Sequence, residues 1–534
     1  MSLPRIAFIL LAVAAAACAG KMPQGRTTRY ADLLSLFQEW RTFQRPPVVE
    51  GVPDYSVTAM AAQHAQLADF QARLAAIEPT QWPVARQVDY RIVQAEMNGL
   101  DFDHRVLKPW SRNPAFYVTV FPNQSDQPAR EGPFAYGGIE LWSYRFPLSP
   151  EDAERVRTGL RIIPRLLGKA RENLTGDARG LWVMGVESLK EQSADLAALL
   201  PRVAGTTPDL TADIQLAKTA TDSLVGWLES QTTSKGAASG VGIEAYDWYL
   251  RNVQLLPYTW QDLVALFERE LGRSRAFLKL EEARNQGLPP LEPIANAEEH
   301  ARRFNQAVTD YMAFLRDRDL LTIHPYLEPA LRARIGTFRS GERDFFAEVD
   351  YRDPKVMRTH GFHWFDLARM AQDPGTNPIR RDPLLYNIFN TRTEGLATGW
   401  EEMMLMAGMF DGQPRSRELI YVLVAQRAAR ALGELMMHAN RFTIEQAVQF
   451  ATANTPRGWL RSTMGTVWGE QHLYLQQPGY GISYLIGKME IEKLVARRAD
   501  QLGERFALRP FMDELLGVGL IPISLVKWEL TGEK

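Results

Sequence analysis

The chain has a single cysteine, Cys18, among 534 residues. No internal disulfide can form, so the fold has to be held by packing alone. An excess of charge of one sign is also lacking. Lys and Arg total 61 against 63 Asp and Glu, a formal net charge of −2, which leaves no basic footprint for nucleic acid. Beyond the N-terminal region no apolar run reaches the roughly eighteen residues needed to cross a bilayer, so the mature chain is expected to have no membrane span. Nor does the sequence carry an internal repeat or a low-complexity tract. What remains is ordinary globular material, 46% hydrophobic and 23% charged, long enough to bury a large core.

The N-terminus is distinctive. Arg5 is followed by an apolar run over residues 6–17 and then Cys18-Ala19-Gly20, the layout of a signal peptide over residues 1–20. Cys18 directly follows Ala15-Ala16-Ala17, where a bacterial lipoprotein would be cut and the cysteine would carry lipid. An ordinary cleavage near Ala19, which discards Cys18, is the alternative. Either way the expected location is outside the cytoplasm, in the periplasm or attached to the outer envelope.

Apolar residues at helical spacing recur over residues 30–45, 56–77 and 87–102. Residues 109–147 are rich in proline, glycine and aromatics, and read as an irregular excursion across the surface. Ser149-Pro150-Glu151-Asp152 then opens a helix in which Pro164 should make a kink. Thr259 caps another long helix, and Thr443 with Gln446 forms a capping box before a short one. Residues 232–243, TTSKGAASGVGI, are the best candidate for a hinge or a mobile loop. Strand character is confined to residues 337–339 and 345–351, enough for a short hairpin.

Residues 391–402, TRTEGLATGWEE, and the run His360-Gly361-Phe362-His363 upstream carry the functional reading. Thr391 followed by Glu394 has the form of a capping box, which predicts a helix start at Thr391. On that helix Glu394, Thr398, Glu401 and Leu405 share a face. His360, His363 and Leu367 likewise share a face, so one helix over 360–370 would point both imidazoles the same way. Two imidazoles and a carboxylate suit zinc or a similar divalent ion, which makes His360, His363 and Glu394 the candidate metal ligands. Gly395 and Gly399 let a neighbouring helix approach closely, and the 360–370 helix is the expected neighbour. The plainer alternative is a glutamate that only closes its capping box and two histidines that only pack. Asp366 reads as a helix-surface acid or as an acceptor for an imidazole.

TEGLATGWEE resembles the EGWALYAE signature of the bacterial domain of unknown function 885 family, with Glu394, Gly395, Ala397 and Glu401 matching. Pro478-Gly479 followed by Tyr484, Ile486 and Gly487 is similar to its PGxxxxYxIG segment. Glu434 to His438, then Thr443 and Ala447, resembles its DxGLHxxxxTxEEA stretch, with Glu in place of Asp. Asp89-Tyr90, Leu100-Asp101-Phe102 and Pro109-Trp110 are similar to its N-terminal half.

The resemblance implies an all-α, two-lobed fold with a deep central cleft, forming one domain over residues 21–534. The model for it is the zinc peptidases of the thimet-oligopeptidase and angiotensin-converting type, where a metal-activated water attacks the peptide carbonyl and a glutamate acts as general base. Full members carry an HExxPGHH run, and this chain departs from it. With the PGHH glycine on Gly361, the first His falls on Val356 and the base on Met357; with the first His on His360, the base falls on Gly361. Losing a general base costs on the order of a hundred- to ten-thousand-fold in rate. Three readings stay open. One is an exported metal-dependent hydrolase, with zinc as cofactor, using a rearranged site of His360, His363 and Glu394. Another is a cleft that binds peptide or glycan without cutting it. The third is a metal-free enzyme reusing Tyr484, His438 and the glutamates. Glu401, Tyr484 and His438 are the catalytic candidates. Tyr484 is included because the related peptidases place an oxyanion-steadying tyrosine after the PG pair. A peptide or other small polymer is the expected partner, and oligomeric state has no signature in the sequence.

Overall fold

The structure, a computed structural model, describes residues 26–205 and 207–534. The signal segment and Cys18 lie outside the described residues. Among the described residues the fold is all-α apart from two sheets of two strands each. Val48–Val49 pairs antiparallel with Val52–Pro53, and Val120–Phe121 pairs parallel with Ile139–Glu140. The strands expected near residue 345 are absent. Asp344 accepts from Ala347 N–H at 2.8 Å and starts a short helix, Phe345–Asp350. Its apolar and aromatic content had mimicked a strand.

Start signals elsewhere act as their chemistry dictates. Ser149 Oγ accepts from Asp152 N–H, and the Pro150–Asn173 helix runs on through Pro164. Capping boxes at Thr259 and Thr443 open the Trp260–Arg284 and Ile444–Asn454 helices. One core packs Pro150–Asn173, Arg179–Leu199 and Thr211–Gln231 against each other. A larger core surrounds the Asn390–Met406 helix, which is buried almost throughout.

That helix packs most extensively on Tyr480–Leu502. The pair crosses at glycines. A Cβ on Gly487 would lie 2.1 Å from the Thr391 carbonyl oxygen, and one on Gly395 would lie 2.4 Å from Gly487 Cα. Gly395 therefore does permit a close approach, but its neighbour is the Tyr480–Leu502 helix and not the histidine segment. Charged side chains on the buried helix meet opposite charges. Arg392 grips Asp366 at 2.8 and 2.9 Å, and Glu402 meets Arg273 and Lys488.

Two irregular stretches behave differently from their sequence reading. The Gly/Ser-rich segment is stitched down: Gly242 N–H donates to the His438 carbonyl at 2.9 Å, and Ser239 Oγ accepts from Gly180 N–H at 2.8 Å. The excursion after Pro109 does not stay on the surface. Phe116, Tyr117, Thr119 and Gln127 are all buried along it.

Candidate metal centre

Each side chain of the centre is positioned by a local device. Pro354–His360 is a short helix capped by Asp353, whose side chain accepts from Lys355 N–H at 3.0 Å. It ends at His360. Gly361 separates it from the Phe362–Gln372 helix, so the two histidines sit on two helices and not on one. Their rings nonetheless meet edge to face, 5.0 Å between centroids. The Glu394 helix starts at Asn390, after Tyr386 and Asn387 take left-handed backbone at φ 57° and 48°. Thr391 is thus inside the helix, and Glu394 is free of any capping duty. Seven residues apart on one face, Glu394 and Glu401 each face a histidine. Glu401 Oε1 lies 3.0 Å from His360 Nδ1, and Glu394 Oε2 lies 3.2 Å from His363 Nε2.

The bonding pattern leaves one ligand atom on each residue. Glu394 Oε1 accepts from Gln127 Nε2 at 2.9 Å and from the Tyr480 hydroxyl at 2.6 Å. Gln127 is held in turn by Thr393 Oγ1, which donates to its Oε1 at 2.7 Å. His360 Nδ1 faces Glu401 Oε1 at 3.0 Å, leaving Nε2. Glu394 Oε2 and His363 Nε2 are fully buried, and their mutual approach lacks hydrogen-bond geometry. Buried polar atoms without partners are rare because desolvation is costly. Donor atoms of His360, His363 and Glu394 lie within 4.8 Å of one another. Two imidazoles and a carboxylate whose inward atoms face only one another fit a divalent cation of the zinc type.

Charge follows the same geometry. Burial would lower the proton affinity of His363, but the charges of Asp126 and Glu394 outweigh it and raise its pKa above the ordinary value. Burial would raise Glu394, and the His363 and His360 charges with the Tyr480 hydrogen bond bring it below the ordinary carboxylate range. Glu401 is lowered against its burial by the Arg427 guanidinium. A cation held there would take His363 and Glu394 as ligands and would displace the proton from His363. Glu131 behaves oppositely: burial, with the nearby Asp126 charge, pushes it up to about 7. The Tyr480 hydroxyl contacts both Glu131 and Glu394, and a single phenolic proton serves only one of them.

Of the remaining sequence candidates, Glu401 orients His360 and is gripped by Arg427, so it is not a free base. Tyr484 stands with its ring 5.8 Å from the Arg427 guanidinium and 5.9 Å from the Tyr480 ring. Burial and then the Glu394 charge raise its pKa well above the ordinary phenol range, so it stays a donor. His438 is not brought to the centre. Its Nε2 lies 3.0 Å from the Tyr474 carbonyl oxygen and its ring stacks on Tyr246. Burial lowers it to about 4, so it is neutral packing. Asp366 is neither a surface acid nor an imidazole acceptor, since Arg392 occupies both of its oxygens.

Gln127, Asp126, Glu131 and Tyr480 escaped the sequence reading. Three of them ride on the irregular stretch, which has no periodicity to betray a buried side. Its length was the available signal, because long structureless loops inside a compact fold tend to be functional.

Residues 363–530 match the model of a family described as a bacterial protein of unknown function, DUF885. The matched part includes His363, Glu394, Glu401, Tyr480 and Tyr484. A solved candidate lipoprotein of unknown function from Shewanella oneidensis superposes with a TM-score of 0.69 at 15% identity, covering 95% of this chain and 100% of that one. A solved candidate lipoprotein from Colwellia psychrerythraea gives a TM-score of 0.62 at 15% identity, covering 94% of this chain and 98% of that one. At this identity the likeness is one of fold. No curated protein matches the chain.

Proposed function

We propose that the protein is an exported, zinc-dependent hydrolase acting on peptides or a similar small polymer. The observation that carries this reading is the fully buried pair Glu394 Oε2 and His363 Nε2, 3.2 Å apart with no other partner, beside His360. His360, His363 and Glu394 would hold the zinc, which would supply Lewis acidity at the scissile group. Glu401 and Arg427 fix the His360 ring, and Gln127 with Tyr480 fixes the Glu394 carboxylate. Tyr484, a protonated phenol, is the donor assigned to a developing oxyanion. Asp126 takes the part of the missing general base. It lines a cavity of about 660 Å3 together with His360. Arg334, Arg339 and Arg343 line the same cavity and suit a substrate end that carries a carboxylate. Export rests on the N-terminal signal pattern, with Cys18 as the lipid attachment point.

A non-catalytic binding cleft is favoured by one specific observation, the absence of any glutamate beside a ligand histidine in the HExxPGHH manner. Digestion of a defined peptide mixture, read by mass spectrometry with and without chelator, separates the two. Chelator-sensitive cleavage that Asp126→Asn abolishes while metal is retained supports the hydrolase. Zinc-loaded protein that binds peptides and leaves all of them intact supports the binding cleft.

A further inference from the structure

A second cavity, of about 400 Å3, has a lining that includes none of His360, His363 or Glu394. Tyr55, Trp110, Phe116, Phe134, Tyr249 and Tyr386 supply aromatic walls, and Asp103 lies among them. Asp103 opens a single π-helical turn, Asp103–Leu107, closed by Lys108 N–H donating to the Asp103 carbonyl at 2.7 Å. Such a turn inserts an extra residue into a helix and redirects its side chains, and it recurs at functional sites. The facing wall is strained as well: Tyr386 and Asn387, both in the lining, hold left-handed backbone at φ 57° and 48°. Tyr386 can lie flat on the neighbouring helix only because residue 99 is glycine, where a Cβ would come within 2.4 Å of its ring.

The carboxylate of Asp103 has no hydrogen-bond or ion-pair partner. Two cations share the lining, and both are turned to other groups. The Arg45 guanidinium lies 5.3 Å from the Tyr136 ring, while that of Arg130 lies 3.5 Å over Phe121 and 3.7 Å from Glu140. Asp103 is therefore the carboxyl group without a hydrogen-bond or ion-pair partner among the described lining residues.

We propose that this cavity binds a small organic cation, a protonated amine on an aromatic or aliphatic body, with Asp103 as counter-ion and the aromatic rings as its cage. Ring faces attract an ammonium group, the apolar walls accept its body, and a volume of this order suits a small-molecule ligand. Asp103 is half-buried at the cavity wall, and an unpaired carboxylate there is costly. Burial accordingly pushes the Asp103 carboxyl up to about 8, which favours its protonated form at neutral pH. An arriving ammonium reverses that balance and expels the proton. Of the groups around it, Tyr249 and Tyr386 are kept protonated by burial, Glu96 is paired with Arg41 at 2.9 Å, and burial keeps His104 neutral at about 4. Arg45 and Arg130 stay charged throughout. The released proton is thus that of Asp103. None of this depends on a metal at the histidine pair.

Isothermal titration of the mature chain at pH 7 with 2-phenylethylamine, and with 2-phenylethanol as its neutral counterpart, tests the proposal. The amine should bind one to one, and the alcohol should bind at least about tenfold more weakly. The heat of amine binding should vary with the protonation enthalpy of the buffer, reporting a released proton. Asp103→Asn breaks no hydrogen bond and removes the cost of protonating a buried carboxylate, so it should raise the melting temperature at pH 7 and erase the preference for amine over alcohol. His360→Ala should leave amine binding as it is. Equal binding of the two compounds to the wild type, a preference that survives Asp103→Asn, or no saturable amine binding would overturn the assignment.

Discussion

Glu401 holds His360 and Arg427 at once: its Oε1 lies 3.0 Å from His360 Nδ1, and its two oxygens accept from the Arg427 guanidinium at 2.7 Å each. The same carboxylate thus fixes the imidazole tautomer and neutralises a buried cation. Its role is positioning, which accounts for its matching Glu394 along one helix face without sharing Glu394's open oxygen.

Glu401→Gln should weaken zinc binding by about 10- to 100-fold, since it loosens His360, a proposed ligand. It should also destabilise the fold by roughly 3–5 kcal/mol, because Arg427 remains buried with half its partner lost. Chelator competition and denaturant unfolding measure the two effects. Wild-type zinc affinity in this variant would mean that His360 is not a ligand.

Asp366→Ala separates structure from site. The Arg392 charge is fully buried, so removing its carboxylate should cost about 3–5 kcal/mol. Metal content of the folded fraction should not change, since Asp366 touches no imidazole. A loss of metal at constant stability would restore Asp366 to the centre.

The glycine crossing should tolerate nothing larger. Gly487→Ala drives a methyl into the Thr391 carbonyl and should cost at least about 1–3 kcal/mol while displacing Glu394 and Tyr480. Gly226→Ala, in an exposed helix position with open space around it, should instead be neutral or gain up to about 1 kcal/mol. Melting temperatures of the two variants moving in the same direction by the same amount would refute the packing argument.

His472 supplies a pH test. Burial lowers its pKa from the ordinary 6.5 to about 4, so the native state binds fewer protons than the unfolded state between those values. Its contribution is therefore lost as pH falls from about 6.5 towards 4, reaching about 2 kcal/mol by pH 5. His472→Leu removes the liability. Its stability relative to wild type should rise by that order between pH 7 and pH 5, read by urea unfolding at both, and a constant difference would show that His472 is solvated.

Much of the fold was legible because caps and helical periodicity are local. Ser149, Thr259 and Thr443 begin helices for reasons contained in four residues each. The buried Asn390–Met406 helix was harder, since it has no apolar stripe: Arg392, Glu394, Glu401 and Glu402 are buried by virtue of distant partners that no local rule supplies. For the same reason Thr391 and Glu394 imitated a capping box. The histidine pair and both glutamates were visible from spacing, and the structure brings them together even though Gly361 breaks the expected helix. Gln127 and Glu131 were not visible, because irregular backbone gives a side chain no face to be assigned to. His438 resembled a family position, but its surroundings, Tyr246 and a backbone carbonyl, could come only from tertiary packing.

The central claim is that His360, His363 and Glu394 hold one divalent metal ion. Elemental analysis of the purified mature chain, reconstituted with zinc and freed of excess, tests it most directly, with His360→Ala and Glu394→Ala carried in parallel. The account predicts one zinc per wild-type chain and none in either folded variant; a wild-type chain that retains no metal, or variants that retain as much as the wild type, would contradict it.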